Sequence, residues 1–256
     1  MNEVMDFEEY GNENAPLLLF LHGGGVGGWM WDKQIDDFSH YHCIVPTLQG
    51  HGVRRNEEEF SIRGNAEEMI DLIKEKGAGK DVHIIGFSIG AQICLEMIDL
   101  APTLITSAVI NSATVIPMKF VQPLIAPTIL LTFPLVKSRS FAKVQAKQLY
   151  MDGEYFEKYY EDSVKLKPST LIQMLKENMS YALPENRSNS TVRILVTVGE
   201  RETRILKKSV KQIVEHYVNC KELFIPNMGH GFPVAQPQLF NEVVEKWITK
   251  GNVHKL

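Results

Sequence analysis

A serine with a glycine two residues to either side, Gly86-Phe87-Ser88-Ile89-Gly90, follows the apolar run "VHII" and leads into the helix-like "AQICLEM". This arrangement can hold a hydroxyl at the tip of a sharp strand-to-helix turn, where the strand and the departing helix pass too closely for side chains at positions −2 and +2. The chemistry served is acyl transfer. It needs a base to take the hydroxyl proton, an acid to orient that base, and N–H donors for the oxyanion. A serine tolerated in an ordinary glycine turn would look the same in isolation, so the remaining groups must be sought elsewhere.

A glycine cluster, "FLHGGGVGGWMW" (20–31), follows the first buried strand. Glycines there let backbone N–H groups approach a substrate oxygen closely. Gly24 is the expected loop donor, with Gly25 as its nearest competitor, and Ile89 is the donor after the nucleophile. A flexible or phosphate-binding loop is the bland alternative, but no G-K-[ST] follows and no GxGxxG has a convincing acidic partner. Of eight histidines, His230 is the best base. It sits in "NMGHGF" between the last strand and the final helix, where Gly229 and Gly231 give a mobile imidazole room. His22 and His51 belong to turns and suit structural hydrogen bonds. His40, His42, His83, His216 and His254 fall on helix ends, strand starts or the tail.

"HGGG", "LQGHG" (48–52), "GFSIG", "VTVGERE" (196–202) and "NMGHGF" (227–232) occur in that order along the chain. With these landmarks the sequence resembles the α/β-hydrolase superfamily, in particular its compact, cap-bearing esterase and lactonase-like members. The resemblance implies a Ser-His-acid triad of Ser88, His230 and an acid where the family pattern reads G-x-x-D. Here "GERE" puts Glu202 at that place, its extra methylene requiring a shifted loop; Glu200 is the nearby alternative, and a surface ion pair with Arg201 or Arg204 the bland one. The family's other site for the acid shows Asn111, which carries no charge. The D-x-P-G-H-G turn is loosened, with Thr47 for Asp and Gln49 for Pro. Ser88 in place of a carboxylate nucleophile argues against haloalkane and epoxide hydrolysis.

The elements that must position these groups read as an α/β fold, a mostly parallel central sheet flanked by helices. Apolar strands are expected at 17–22, 42–46, 82–86, 107–111, 193–199 and 221–226. Helices fall at 66–76, after the 82–86 strand through about Leu100, at 204–218 and at about 237–249. The rhythm breaks after Ala113. Four prolines and then helical patterns run to Arg187, which is too long for a simple crossover. This predicts a hydrolase core of residues 1–112 and 188–256 with a helical cap or lid of 113–187.

The 256 residues, 44% hydrophobic and 23% charged, suit one large domain carrying an insertion. A net charge of −4 without any Lys/Arg-rich run argues against nucleic acid as a partner. The acidic N-terminus lacks a secretory h-region, and three scattered cysteines fit reduced thiols, so a cytoplasmic protein is expected. "LIAPTILLTFPLV" (124–136) is too short to span a bilayer, and no stable membrane insertion is expected. No metal or cofactor is called for, and the oligomeric state is open. Trp29, Phe87, Met118, Phe120 and Phe232 are candidate substrate-binding residues, along with Leu124, Ile125, Ile129, Leu130 and Phe133 of the cap, although most of these could simply pack cap onto core. Together they favour hydrolysis of small, largely apolar carboxylic esters or related lactones and thioesters. The alternatives are a triad-retaining lyase of the menaquinone-pathway type, for which no basic patch is evident, and a ligand sensor with little turnover.

Overall fold

A computed structural model describes residues 6–56, 59–185 and 188–253. The first five residues of the acidic N-terminus, the expected insertion boundary at Arg187, and His254 lie outside the described residues. Seven strands form one sheet: β1 (Phe7–Gly11), β2 (Leu17–Leu21), β3 (His42–Pro46), β4 (Val82–Phe87), β5 (Ser107–Asn111), β6 (Arg193–Gly199) and β7 (Cys220–Ile225). Their order is β1-β3-β2-β4-β5-β6-β7. Every neighbouring pair is parallel except β1 with β3.

Every residue of β2, β3, β4 and β5 is buried, as continuous apolar runs covered on both faces should be. Alternation divides β2 between two cores. Leu17, Leu19 and Leu21 join one cluster with Met69 and Ile73 of α2 (Ile62–Lys76) and Ile93 and Met97 of α3 (Ile89–Leu100). Leu18 and Phe20 join the other with Phe240, Val243, Val244 and Trp247 of the last helix. Each such side chain contributes roughly 1.5–3 kcal/mol when fully buried. Ser61 caps α2 by accepting from Gly64 N at 3.1 Å.

The other helices are α1 (Asp32–Asp37), α4 (Gln122–Val136), α5 (Arg139–Gln148), α6 (Gly153–Lys165), α7 (Pro168–Ser180), α8 (Arg204–His216), the short α9 (Phe232–Ala235) and α10 (Pro237–Lys250). Helices α4 to α7 are inserted between β5 and β6. The return helix α7 is tied to α3, where Gln92 Nε2 donates to Asn178 O at 3.0 Å and Asn178 Nδ2 donates to Gln92 Oε1 at 2.9 Å. No helix among the described residues is long and apolar enough to cross a membrane.

Two features differ from the sequence reading. Strand β1 was not foreseen: it is an edge strand whose ladder with β3 runs from Phe7↔Pro46 to Gly11↔His42, and it is mostly solvent-facing. The proline-rich stretch forms α4, which continues through Pro127 and Pro134. Of its residues only Ile125 is buried, so Leu124 and Leu130 face solvent rather than a pocket.

Candidate active site

Ser88 stands between β4 and α3 with φ 55° and ψ −114°, a conformation that non-glycine residues adopt only when their surroundings impose it. Its N–H donates to Asn111 O at 2.9 Å, and its carbonyl accepts from Ala91 N and Gln92 N. The flanking glycines are sterically required, for different reasons. A methyl group on Gly86 would come within 2.5 Å of Gly90 O and 2.6 Å of Ala91 Cα, the strand-against-helix collision expected. One on Gly90 would instead come within 2.4 Å of Leu21 O and 2.5 Å of His22 O, so the elbow helix is seated directly on the end of β2.

That seating brings the glycine loop to the elbow. A Cβ on Gly24 would lie 3.6 Å from both Ile89 Cγ2 and Met174 Sδ, and one on Gly23 would meet the Phe87 ring. Neither Gly24 N nor Ile89 N has a hydrogen-bond acceptor among the described residues. The Ile89 N–H is one of the orphan donors of the first turn of α3, on the positive end of its dipole. Gly25 N, by contrast, donates to His51 Nε2 at 3.0 Å, so the competitor donor is already committed. His51 Nδ1 is paired with Gln49 O at 2.9 Å, while His22 receives Leu48 N at Nε2 and faces Gly23 O with Nδ1. The two buried imidazoles cross edge to face at 4.9 Å and join the loops after β2 and β3. Burial pushes the His22 pKa down to about 3 and lowers that of His51, keeping both rings neutral.

His230 follows β7. Its Nδ1 lies 2.8 Å from Glu202 Oε2, and its ring centroid is 4.9 Å from that of Phe87. Glu202 is buried, and its other oxygen accepts from Ser112 Oγ at 2.5 Å and Gly199 N at 3.2 Å. Burial alone would raise the Glu202 pKa. The hydrogen bond and charge of His230, with the Ser112 and Gly199 donors, outweigh it and hold the pKa below the ordinary carboxylate value. Glu200 points elsewhere, accepting from Asn227 N. The Ser88 hydroxyl makes no hydrogen bond to His230 among the described residues, a looseness common in ligand-free sites.

The glycines around His230 fit it against the insertion rather than loosen it. Gly229 N donates to Tyr150 Oη at 2.9 Å, and a Cβ on Gly231 would come within 2.3 Å of Leu149 O. On the Glu202 side lies a cavity of about 530 Å³ lined by Gln145, Leu149, Tyr159 and Leu206.

The candidate pocket residues separate. Phe87 abuts the imidazole. Trp29 donates from Nε1 to Asp162 Oδ2 of α6 at 2.7 Å, tethering the insertion to the core. Met118 is half-buried and its N–H donates to Met179 O. Phe232 is not in a pocket: it is fully buried against Phe240, with ring centroids 5.3 Å apart. Phe120 is 95% exposed, because it lies in the turn leading into α4 and points away from the core. Two residues were missed. Ser112 touches Glu202 only through the fold, and Met174 reads in sequence as one member of a helical stripe. No cluster of three His, Cys, Asp or Glu suited to a metal occurs among the described residues.

The sheet order, the elbow and the His–Glu pair at the strand ends define an α/β-hydrolase fold. Residues 18–243 match the model of the alpha/beta hydrolase family, and the chain belongs to that family. An AB hydrolase superfamily protein of Gibberella zeae is 23% identical over 97% of this chain and 85% of its own length. Among solved structures, an alpha/beta hydrolase enzyme, MGS-M2, from a Medee basin deep-sea metagenome library superimposes with TM-score 0.82 at 17% identity, covering 98% of this chain and 96% of that one. The esterase EaEST from Exiguobacterium antarcticum gives TM-score 0.81 at 15% identity over 96% of each chain. At these identities the likeness to the solved structures is one of fold.

Proposed function

We propose that the protein is a serine hydrolase that cleaves carboxylic esters, or related lactones and thioesters, of small and largely apolar compounds. Ser88 Oγ attacks the carbonyl carbon while His230 Nε2 takes its proton. Glu202 holds the imidazole through Nδ1 and stabilises the imidazolium. The N–H groups of Gly24 and Ile89 receive the oxyanion. His230 then protonates the departing alcohol, and a water activated by the same imidazole releases the acyl group from Ser88.

The observation that carries this reading is the 2.8 Å contact between His230 Nδ1 and a buried Glu202, beside a serine in a strained elbow. A buried carboxylate that already holds His230, Ser112 and Gly199 has little use in a surface ion pair. The likeness to an esterase agrees with it. In this reading helices α4 to α7 serve as the cap, with Met174 over the oxyanion loop. The test is covalent labelling by a fluorophosphonate together with turnover of a p-nitrophenyl ester series of graded acyl length. Labelling lost in Ser88→Ala, with measurable turnover, supports the proposal. A folded wild type that neither labels nor turns over any ester, yet shows a ligand-induced thermal shift, would make it a sensor instead.

A further inference from the structure

Helix α4 carries no charged residue from Gln122 to Val136. A helix apolar on every face belongs in a core, yet Ile125 is its only buried residue. Leu131 is 81% exposed, Leu124 and Leu130 are about as open as each other at 60% and 61%, and Phe120 stands at 95% just ahead of the helix. Contiguous exposed apolar surface of this kind marks a place where something docks.

Cations frame this surface. Lys119 precedes α4, Lys137 follows it, and Arg139, Lys143 and Lys147 continue at four-residue spacing along α5. From Ala113 to Met151 there is no Asp or Glu, in a chain whose net charge is −4. Arg139 is paired with Glu157 of α6, but none of the four lysines has a carboxylate partner among the described residues. The stretch around this exposed apolar helix thus carries a local excess of positive charge with no carboxylate of its own.

We propose that α4 docks on an anionic lipid surface, with its leucines at the boundary of headgroups and acyl chains and the lysines over the lipid phosphates. A second copy meeting α4 against α4 would oppose these lysines with no acid in the segment to neutralise them. A soluble anion would engage the lysines and leave the leucines in water. The helix lies on the surface rather than crossing it, since its 15 residues are about 22 Å long. Helix α4 packs on α7, which sets Met174 beside Gly24, so docking would bring the oxyanion loop to the source of apolar esters. That last consequence rests on the esterase reading; the docking does not.

The experiment is co-sedimentation of the full chain with phosphatidylcholine vesicles, with or without phosphatidylglycerol, at low and high salt. Binding is expected to the phosphatidylglycerol mixture at low salt and about tenfold weaker on phosphatidylcholine alone or at high salt. The exposed double variants Leu124→Gln/Leu131→Gln and Lys143→Gln/Lys147→Gln should each lower partitioning by about tenfold, with circular dichroism and Tm unchanged. Wild type that stays in the supernatant overturns the proposal, as does a leucine variant that binds equally well. Sedimentation velocity that finds a reversible dimer lost in Leu124→Gln/Leu131→Gln, without vesicle binding, assigns the helix to a second copy instead.

Discussion

The Ser112 hydroxyl donates to Glu202 Oε1 at 2.5 Å across ninety residues of sequence. It does so from a backbone turned to φ 59° immediately after β5. Asn111, one residue earlier, accepts the N–H of Ser88. The end of β5 therefore supports both ends of the candidate triad.

Ser112→Ala should leave one lone pair of a buried carboxylate without its donor, costing about 1–3 kcal/mol of stability. The Glu202 pKa is depressed, so its charge survives as pH falls below the ordinary carboxylate range. Removing a donor raises that pKa, and the acid side of the kcat/KM profile should move to higher pH. An unchanged profile with reduced Tm would give Ser112 a structural role alone.

Ser88→Ala should reduce ester turnover by roughly 10⁴-fold or more without loss of fold. Ser88→Gly should be equally inactive but more stable than Ser88→Ala by about 1 kcal/mol, because glycine accepts φ 55° without strain. Denaturant titration of the pair measures the difference directly.

Gly24→Ala and Gly90→Ala should part company. The added methyl at Gly24 meets Ile89 and Met174 at 3.6 Å, ordinary contact, so Tm should hold while kcat falls through crowding of the oxyanion site. At Gly90 it strikes two β2 carbonyls at 2.4 and 2.5 Å, and backbone cannot yield. A loss of about 1–3 kcal/mol or more is expected there, visible as a drop of several degrees in Tm.

Three buried histidines set an acid limit on stability. Burial lowers the pKa of His22 to about 3 and of His83 to about 4, and lowers that of His51. Above the unfolded value of 6.5 all three are neutral in both states and stability is independent of them. As pH falls from 6.5 toward these folded values, only the unfolded chain takes up the protons. Stability should then decline by up to roughly 1.4 kcal/mol per pH unit for each residue. Differential scanning calorimetry from pH 8 to pH 4.5 checks this, and a Tm flat to pH 5 would contradict it.

The strands and the elbow were legible because their signals are local. A continuous apolar run buried on both faces announces itself, and so does a glycine pair around Ser88. Strand β1 was hidden because "FEEYG" is Glu-rich and half solvated; it holds its place through backbone pairing with β3, and Glu9 bonds His42 and Lys76. The candidate base and acid, His230 and Glu202, each sit in a landmark loop of the sequence, whereas Ser112 is brought to Glu202 only by the parallel pairing of β5 with β6. The proline-rich segment misled for a physical reason. Apolar composition suggested that Phe120, Leu124 and Leu130 face inward, but composition does not say which way a helix turns its faces, and α4 turns most of them to solvent.

Every group of the candidate site leaves the sheet at the carboxyl ends of the parallel strands, and this has a practical side. The turn Gly77–Asp81 enters β4 at its opposite end, about 20 Å from Ser88 along six residues of strand. Gly79, at its tip, has φ 77° and open space where a side chain would be. A reporter peptide or an entire guest domain grafted there would extend from the far side of the sheet. It would leave the face that carries the candidate site, and the insertion beside it, unobstructed.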